Sequence, residues 1–231
     1  MVFFKNFPNT QVMNEYCVEK IAIALTYSIN TKGQASLIVS GGKTPLRLFK
    51  ALTQKDIAWS KVVITLADER WVDTTDNCSN EYLVRKYLLK DYAVNAMFIS
   101  LKNNYATPFA GAIHIEHQLK IIKRPFDVVI LGMGEDGHTA SLFPKADNLD
   151  QALAMDSGRV CMGIKPLTAN LDRITLTLPT LLNSYCIYLY IIGNKKYDVY
   201  QRAIQGSNIY EMPIRAILNQ VQTPVNVCYT R

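Results

Sequence analysis

The chain has 231 residues, 49% of them apolar and 19% charged, an ordinary globular balance. It supports one well-buried domain over residues 1–231 and excludes a disordered or low-complexity chain. The formal charge of +6 reads as a mildly basic surface and favours an anionic ligand over nucleic acid, because lysine and arginine are scattered rather than gathered in a stripe.

Residues 10–32 read as a long helix carrying Val12, Ile21, Leu25 and Ile29, with Gly33 as its stop. Short apolar, β-branched runs then predict buried strands at Ala35–Val39, Val62–Ala67, Met97–Leu101, Phe126–Leu131 and Tyr185–Ile192. Helical stretches lie between and after them, near 45–54, 79–90, 108–123 and 194–205. Arg159–Lys165 and Arg173–Leu178 read as an additional strand pair, and a helix at Pro213–Gln220 and a strand at Val225–Tyr229 close the chain. Strands alternating with helices predict a Rossmann-like α/β fold: a mostly parallel sheet with helices on both faces and a small extra strand pair. Ligands of such sheets bind at the carboxyl ends of the strands.

The first residues show no basic segment followed by a long apolar one, and the apolar run Cys186–Ile192 is far too short to span a bilayer. Five cysteines without a CxxC pair suggest neither a disulfide framework nor a zinc site. A soluble protein of the reducing cytosol is expected, with no membrane and no obligatory protein partner.

Three loops at strand ends carry the chemistry. Ser40-Gly41-Gly42-Lys43-Thr44-Pro45 follows the first buried strand; glycines allow close backbone approach, Thr44 reads as an N-cap and Pro45 as the first helical residue. Amides at a helix start attract phosphate, although this is no Walker loop; without a ligand it is a plain tight turn. Asp68-Glu69-Arg70-Trp71 follows the second strand, where Arg70 offers a planar fork of donors to an oxyanion or, more plainly, a surface ion pair. Ser79 reads as the cap of the next helix. Gly132-Met133-Gly134-Glu135-Asp136-Gly137-His138 follows the strand ending at Leu131. It lacks the later glycine of a dinucleotide fingerprint, so no nucleotide cofactor is expected. His138, at the start of an expected helix, is the side chain suited to moving protons near neutral pH, and Asp136 stands ready to orient it. His114 and His117, three apart on a helix, read as an exposed face rather than metal ligands.

These strings, LIVSGGKTPLRLF, TLADERWV with DNCSNE, FDVVILGMGEDGHTASLFP, DRITLTLPTLL and YIIGNKKYDVY, resemble the 6-phosphogluconolactonases. The resemblance runs from about Leu37 to Asn219, is thin over 91–125, and rests most specifically on GxGxDGHTASLFP. It implies hydrolysis of 6-phospho-D-glucono-1,5-lactone to 6-phospho-D-gluconate in the oxidative pentose phosphate pathway, with a sugar-phosphate lactone as the only partner and neither metal nor cofactor. His138 matches the family's catalytic histidine and Arg70 its arginine, with Asp136 and Asp68 orienting them. Ser40, Gly41, Gly42 and Thr44 match the phosphate loop, Lys196 its GxxK lysine, and Arg173 the arginine opening RITLTLP, a further candidate for the phosphate whose reach to it is left open. Many relatives carry more prolines before that arginine; here there is only Pro166. Glucosamine-6-phosphate deaminases are related, but they typically place a carboxylate just before the proline where this chain has Leu142-Phe143-Pro144, and read Asp-Glu-Tyr where it has Asp68-Glu69-Arg70. Non-catalytic sugar-phosphate effector domains form a further alternative.

Overall fold

The computed structural model describes residues 1–167 and 169–231. In chain order the elements are β1 (Val2–Phe7), α1 (Thr10–Lys32), β2 (Ala35–Val39), α2 (Leu46–Leu52), β3 (Val62–Leu66), β4 (Asp68–Arg70), α3 (Asn80–Tyr87), β5 (Met97–Ile99) and α4 (Pro108–Leu119). Then follow β6 (Val128–Leu131), α5 (Leu149–Leu153), β7 (Cys161–Ile164), β8 (Arg173–Leu176), α6 (Leu178–Leu182), β9 (Ile187–Ile192), α7 (Asn194–Ile204), α8 (Ile214–Leu218) and β10 (Val225–Thr230).

Seven strands form one sheet in the order β1-β10-β9-β6-β2-β3-β5, every pair parallel. All residues of β2, β3 and β6 are buried. Side chains of a strand alternate between faces, so both faces of the sheet are covered, as uninterrupted Val/Ile/Leu runs require. Local signals set the helix ends. Asn9 caps α1 by accepting from the Val12 amide, Gly33 ends it at φ 78°, and Ser79 caps α3 through the Tyr82 amide.

Several elements differ from expectation. β1 was not legible, because VFFKNF is a largely exposed edge strand without alternation and takes its conformation from pairing with β10. Asp68-Glu69-Arg70 is a strand rather than a loop. Ala67 alone separates β3 from β4, and β4 pairs antiparallel with β8, so the expected strand pair is a three-stranded sheet, β4-β8-β7. α2 begins at Leu46, with Pro45 before it; the exposed Thr44 makes no capping bond. No helix starts at His138. Ala140 takes φ 47° and Thr139 bridges to Leu142, a reversal that helical backbone cannot contain. Among the described residues no helix is long and apolar enough to cross a membrane, and all five cysteines are free thiols.

One buried carboxylate locks α1 to the sheet. Asp127, next to β6, accepts from Ser28 Oγ at 2.6 Å, Lys32 Nζ at 2.7 Å, and the Ser36 amide and hydroxyl at 2.8 and 3.1 Å. Replacing it leaves the buried Ser36 amide without an acceptor. Asp127→Ala is expected to lower unfolding free energy by about 2–4 kcal/mol in urea titration; a loss below about 0.5 kcal/mol would contradict this role.

Candidate active site

The two glycine-rich loops leave adjacent strands. Ser40 at the end of β2 donates its amide to Ile130 of β6 at 2.9 Å, and beyond that bond the chains diverge. From β2 the chain proceeds to β3 and β5 on one side, whereas β6 leads to β9, β10 and β1 on the other. This is a topological switch point, and a cleft of about 220 Å³ opens there. Ser40, Gly41, Gly42, Thr44, Asp68, Arg70, His138 and Lys196 all line it.

The first loop offers backbone donors. Among the described residues, the amides of Gly41, Gly42, Lys43 and Thr44 donate to no main-chain carbonyl. Since α2 has only seven residues and starts after Pro45, the loop amides rather than the helix end form the cradle. A Cβ on Gly41 would lie 1.9 Å from Asn80 Oδ1, so glycine is required by contact. Lys196, in the first turn of α7, donates Nζ to the Met133 carbonyl. Burial lowers its pKa from the usual lysine range, against the attraction of Glu135 and Asp136.

In the third loop, Asp136 Oδ1 lies 2.6 Å from His138 Nδ1 and also accepts the His138 amide at 3.1 Å. The carboxylate therefore holds the proton on Nδ1 and leaves Nε2 as the basic nitrogen. Burial pushes the Asp136 carboxyl up, but its bonds and attraction to His138 outweigh this and leave it below the usual range. The imidazole stacks on Phe143, with centroids 4.2 Å apart, and stays partly open to solvent.

Asp68 does not orient Arg70. It accepts from Ser141 Oγ at 2.5 Å, while Arg70 Nη1 donates to the Cys78 carbonyl at 2.6 Å. Glu69 does the positioning. Its carboxylate, 1% exposed, accepts the amides of Arg70, Asn80 and Glu81 and the Ser79 hydroxyl, tying β4 to the start of α3. Burial raises the Glu69 pKa, opposed by these four donors.

Arg173 is not brought to the Ser40–Thr44 loop. It lies opposite Arg70 across β4 and β8 and lines a neighbouring cavity of about 410 Å³, which shares Asp68, Arg70 and His138 with the cleft. Asn80, absent from the expected set, lines the cleft with a buried, unpartnered Oδ1; the run of polar residues opening a helix (Ser79-Asn80-Glu81) was its only signal. His114 and His117 are exposed, with His114 stacked on Tyr105. Among the described residues no cluster of three or more His, Cys, Asp or Glu is arranged to hold a metal.

Fold and cleft together define a class: an open, parallel α/β protein with its ligand cleft at the carboxyl ends of the strands, lined by backbone donors and a carboxylate-oriented imidazole. Comparison with known proteins narrows the class. Residues 8–225 match the family described as glucosamine-6-phosphate isomerases/6-phosphogluconolactonase. A protein of Neisseria meningitidis named 6-phosphogluconolactonase is 39% identical, over 99% of both chains. One of the same name from Rhizobium meliloti is 37% identical over 96% of this chain and 95% of its own. The crystal structure of a 6-phosphogluconolactonase from Shewanella baltica superposes with a TM-score of 0.98 at 45% identity, covering 100% of this chain and 98% of that one. The chain belongs to the glucosamine-6-phosphate isomerase/6-phosphogluconolactonase family.

The dyad depends on a residue without a side chain. A Cβ on Gly134 would lie 2.0 Å from His138 Nδ1 and 2.4 Å from Asp136 Oδ1. Gly134→Ala is expected to abolish the downfield NMR resonance of the Asp136-bonded imidazole proton. Its persistence unchanged would contradict the pairing.

Proposed function

We propose that this chain hydrolyses 6-phospho-D-glucono-1,5-lactone to 6-phospho-D-gluconate in the oxidative pentose phosphate pathway, as a single-domain enzyme of the cytoplasm. One observation carries the reading: a cradle of free amides with Lys196 and an Asp136-oriented imidazole line the same small cleft. Relatives bearing the lactonase name over their full length support it.

The phosphate, held by the residue 40–44 loop and Lys196, anchors the substrate away from the reacting carbon. Its binding energy is spent on orientation. Nε2 of neutral His138 takes a proton from water, and the hydroxide attacks the C1 carbonyl. The charge that develops on the carbonyl oxygen falls to Arg70. Collapse of the tetrahedral intermediate breaks the bond from C1 to the ring oxygen, and His138 returns its proton to that oxygen. Asp136 keeps the imidazole in the required tautomer. No step calls on a metal or cofactor. The competing deaminase reading loses support at Phe143: the segment that carries a carboxylate in those enzymes here sets a phenyl ring against the imidazole.

The test is hydrolysis of freshly prepared lactone, corrected for spontaneous opening. His138→Ala should lower kcat about 10²–10⁴-fold with little change in KM, whereas Lys196→Ala should mainly raise KM. Full activity in both variants would refute the site, and ammonia release from glucosamine 6-phosphate would replace the reading. A chelator should leave the rate unchanged.

Two pH effects follow. The base must be neutral, so kcat/KM should fall on the acid side, and a profile flat down to about pH 4 would remove histidine from this role. Because burial lowers the Lys196 pKa in the free protein, affinity for 6-phosphogluconate should decline at a pH below the ordinary lysine range near 10.4. Lys196→Arg should move that decline upward; no shift would contradict it.

A further inference from the structure

Arg173 has no place in the phosphate cradle, yet it is held in a costly position. β4 and β8 set Arg70 and Arg173 directly opposite each other, and like charges so placed in an antiparallel pair repel. Arg173 is 9% exposed, and its Nη1 is buried with no partner among the described residues. Neither arginine forms an ion pair with a carboxylate among the described residues. The nearby acids are engaged elsewhere or peripheral: Asp68 bonds Ser141, Asp136 bonds His138, and Glu135 is exposed at the rim. Burial lowers the Arg173 pKa and the charge of Arg70 lowers it further, only partly opposed by the attraction of Asp68 and Glu69. A buried, underbonded guanidinium facing a second, half-buried one is relieved by an anion.

The two cavities separate the available anions. The cleft holds the amide cradle and Lys196; the second cavity holds Arg173; His138 and Arg70 line both. A phosphorylated lactone brings one anion with it, and the reaction creates a second, at C1. We propose that Arg173, together with Arg70, receives the C1 end of the ligand, first the oxyanion and then the carboxylate of the opened product, and does not hold the phosphate. This rests on the lactonase reading and deepens it: the site is a two-anion clamp whose second half is fully engaged only as the ring opens. Arg173 then contributes more to the transition state and product than to the neutral lactone carbonyl.

The test compares two ligands by titration calorimetry: 6-phosphogluconate, and glucitol 6-phosphate, in which a hydroxymethyl group replaces the carboxylate. Arg173→Gln should weaken 6-phosphogluconate by about 10–100-fold and leave glucitol 6-phosphate within about twofold, the scale of a lost charge-assisted bond. In turnover it should lower kcat more than it raises KM. Arg173→Lys, which keeps the charge but not the fork, should give an intermediate loss on 6-phosphogluconate alone and serves if the glutamine variant does not fold. Equal weakening of both ligands would return Arg173 to the phosphate and overturn the proposal while leaving the lactonase reading intact. Unchanged affinity for both would make the residue structural and overturn it as well. Failure of the unaltered protein to bind either ligand would overturn both the assignment and the reading beneath it.

Discussion

The site depends on the parting of two loops after a single parallel pairing. β2 and β6 lie side by side, and the Ser40 amide still bonds to Ile130, but the chain beyond β2 runs toward one sheet edge and the chain beyond β6 toward the other. A parallel sheet whose order reverses must leave a crevice, and its position at the carboxyl ends brings loop amides to its walls. The loop after β2 contributes amides without main-chain acceptors, and the loop after β6 contributes the imidazole.

Buried carboxylates convert this crevice into a defined geometry. Asp127 locks α1 and β2 against the start of β6. Glu69 ties β4 to α3 and so holds Arg70 and Asn80 at the cleft wall. Asp68 reaches Ser141 and links β4 to the chain just beyond the histidine. Asp127 and Glu69 each have four donors, which offset the cost of burying their charge. The free polar atoms are concentrated elsewhere. Among the described residues, the buried side-chain atoms without partners, Ser40 Oγ, Asn80 Oδ1 and Arg173 Nη1, belong to residues lining the cleft or the adjoining cavity. Unpartnered buried polar atoms gathered at one cleft are what a ligand site would leave open.

The sequence made the sheet legible because its central strands are short, wholly apolar runs, and it made both glycine-rich loops legible because glycines there precede or contact functional groups. The N-terminal edge strand is not legible because four of its six residues are exposed and impose no alternation. β4 escaped because three consecutive charged residues argue against a strand; only pairing with β8 and the four donors around Glu69 make that conformation favourable. The same pairing decides the neighbours of Arg173, which lies 103 positions from Arg70 by their numbers and faces it directly. Motif spacing identified both arginines but could not assign them to one end of a ligand, since that depends on which strands pair. The expected contact of Asp68 with Arg70 is not formed although residues 68 and 70 share a strand face, because the carboxylate bonds Ser141 and the guanidinium turns to the Cys78 carbonyl.

The central claim is spatial: one extended ligand lies with its phosphate on the loop after β2 and its reacting carbon beside the imidazole. The most direct measurement is a crystal structure with 6-phosphogluconate bound. The account requires phosphate oxygens on the amides of residues 41–44 and on Lys196 Nζ, with C1 next to His138 Nε2. A phosphate seated between Arg70 and Arg173 with the carboxylate at the glycine loop, or a product bound outside the cleft, would contradict it.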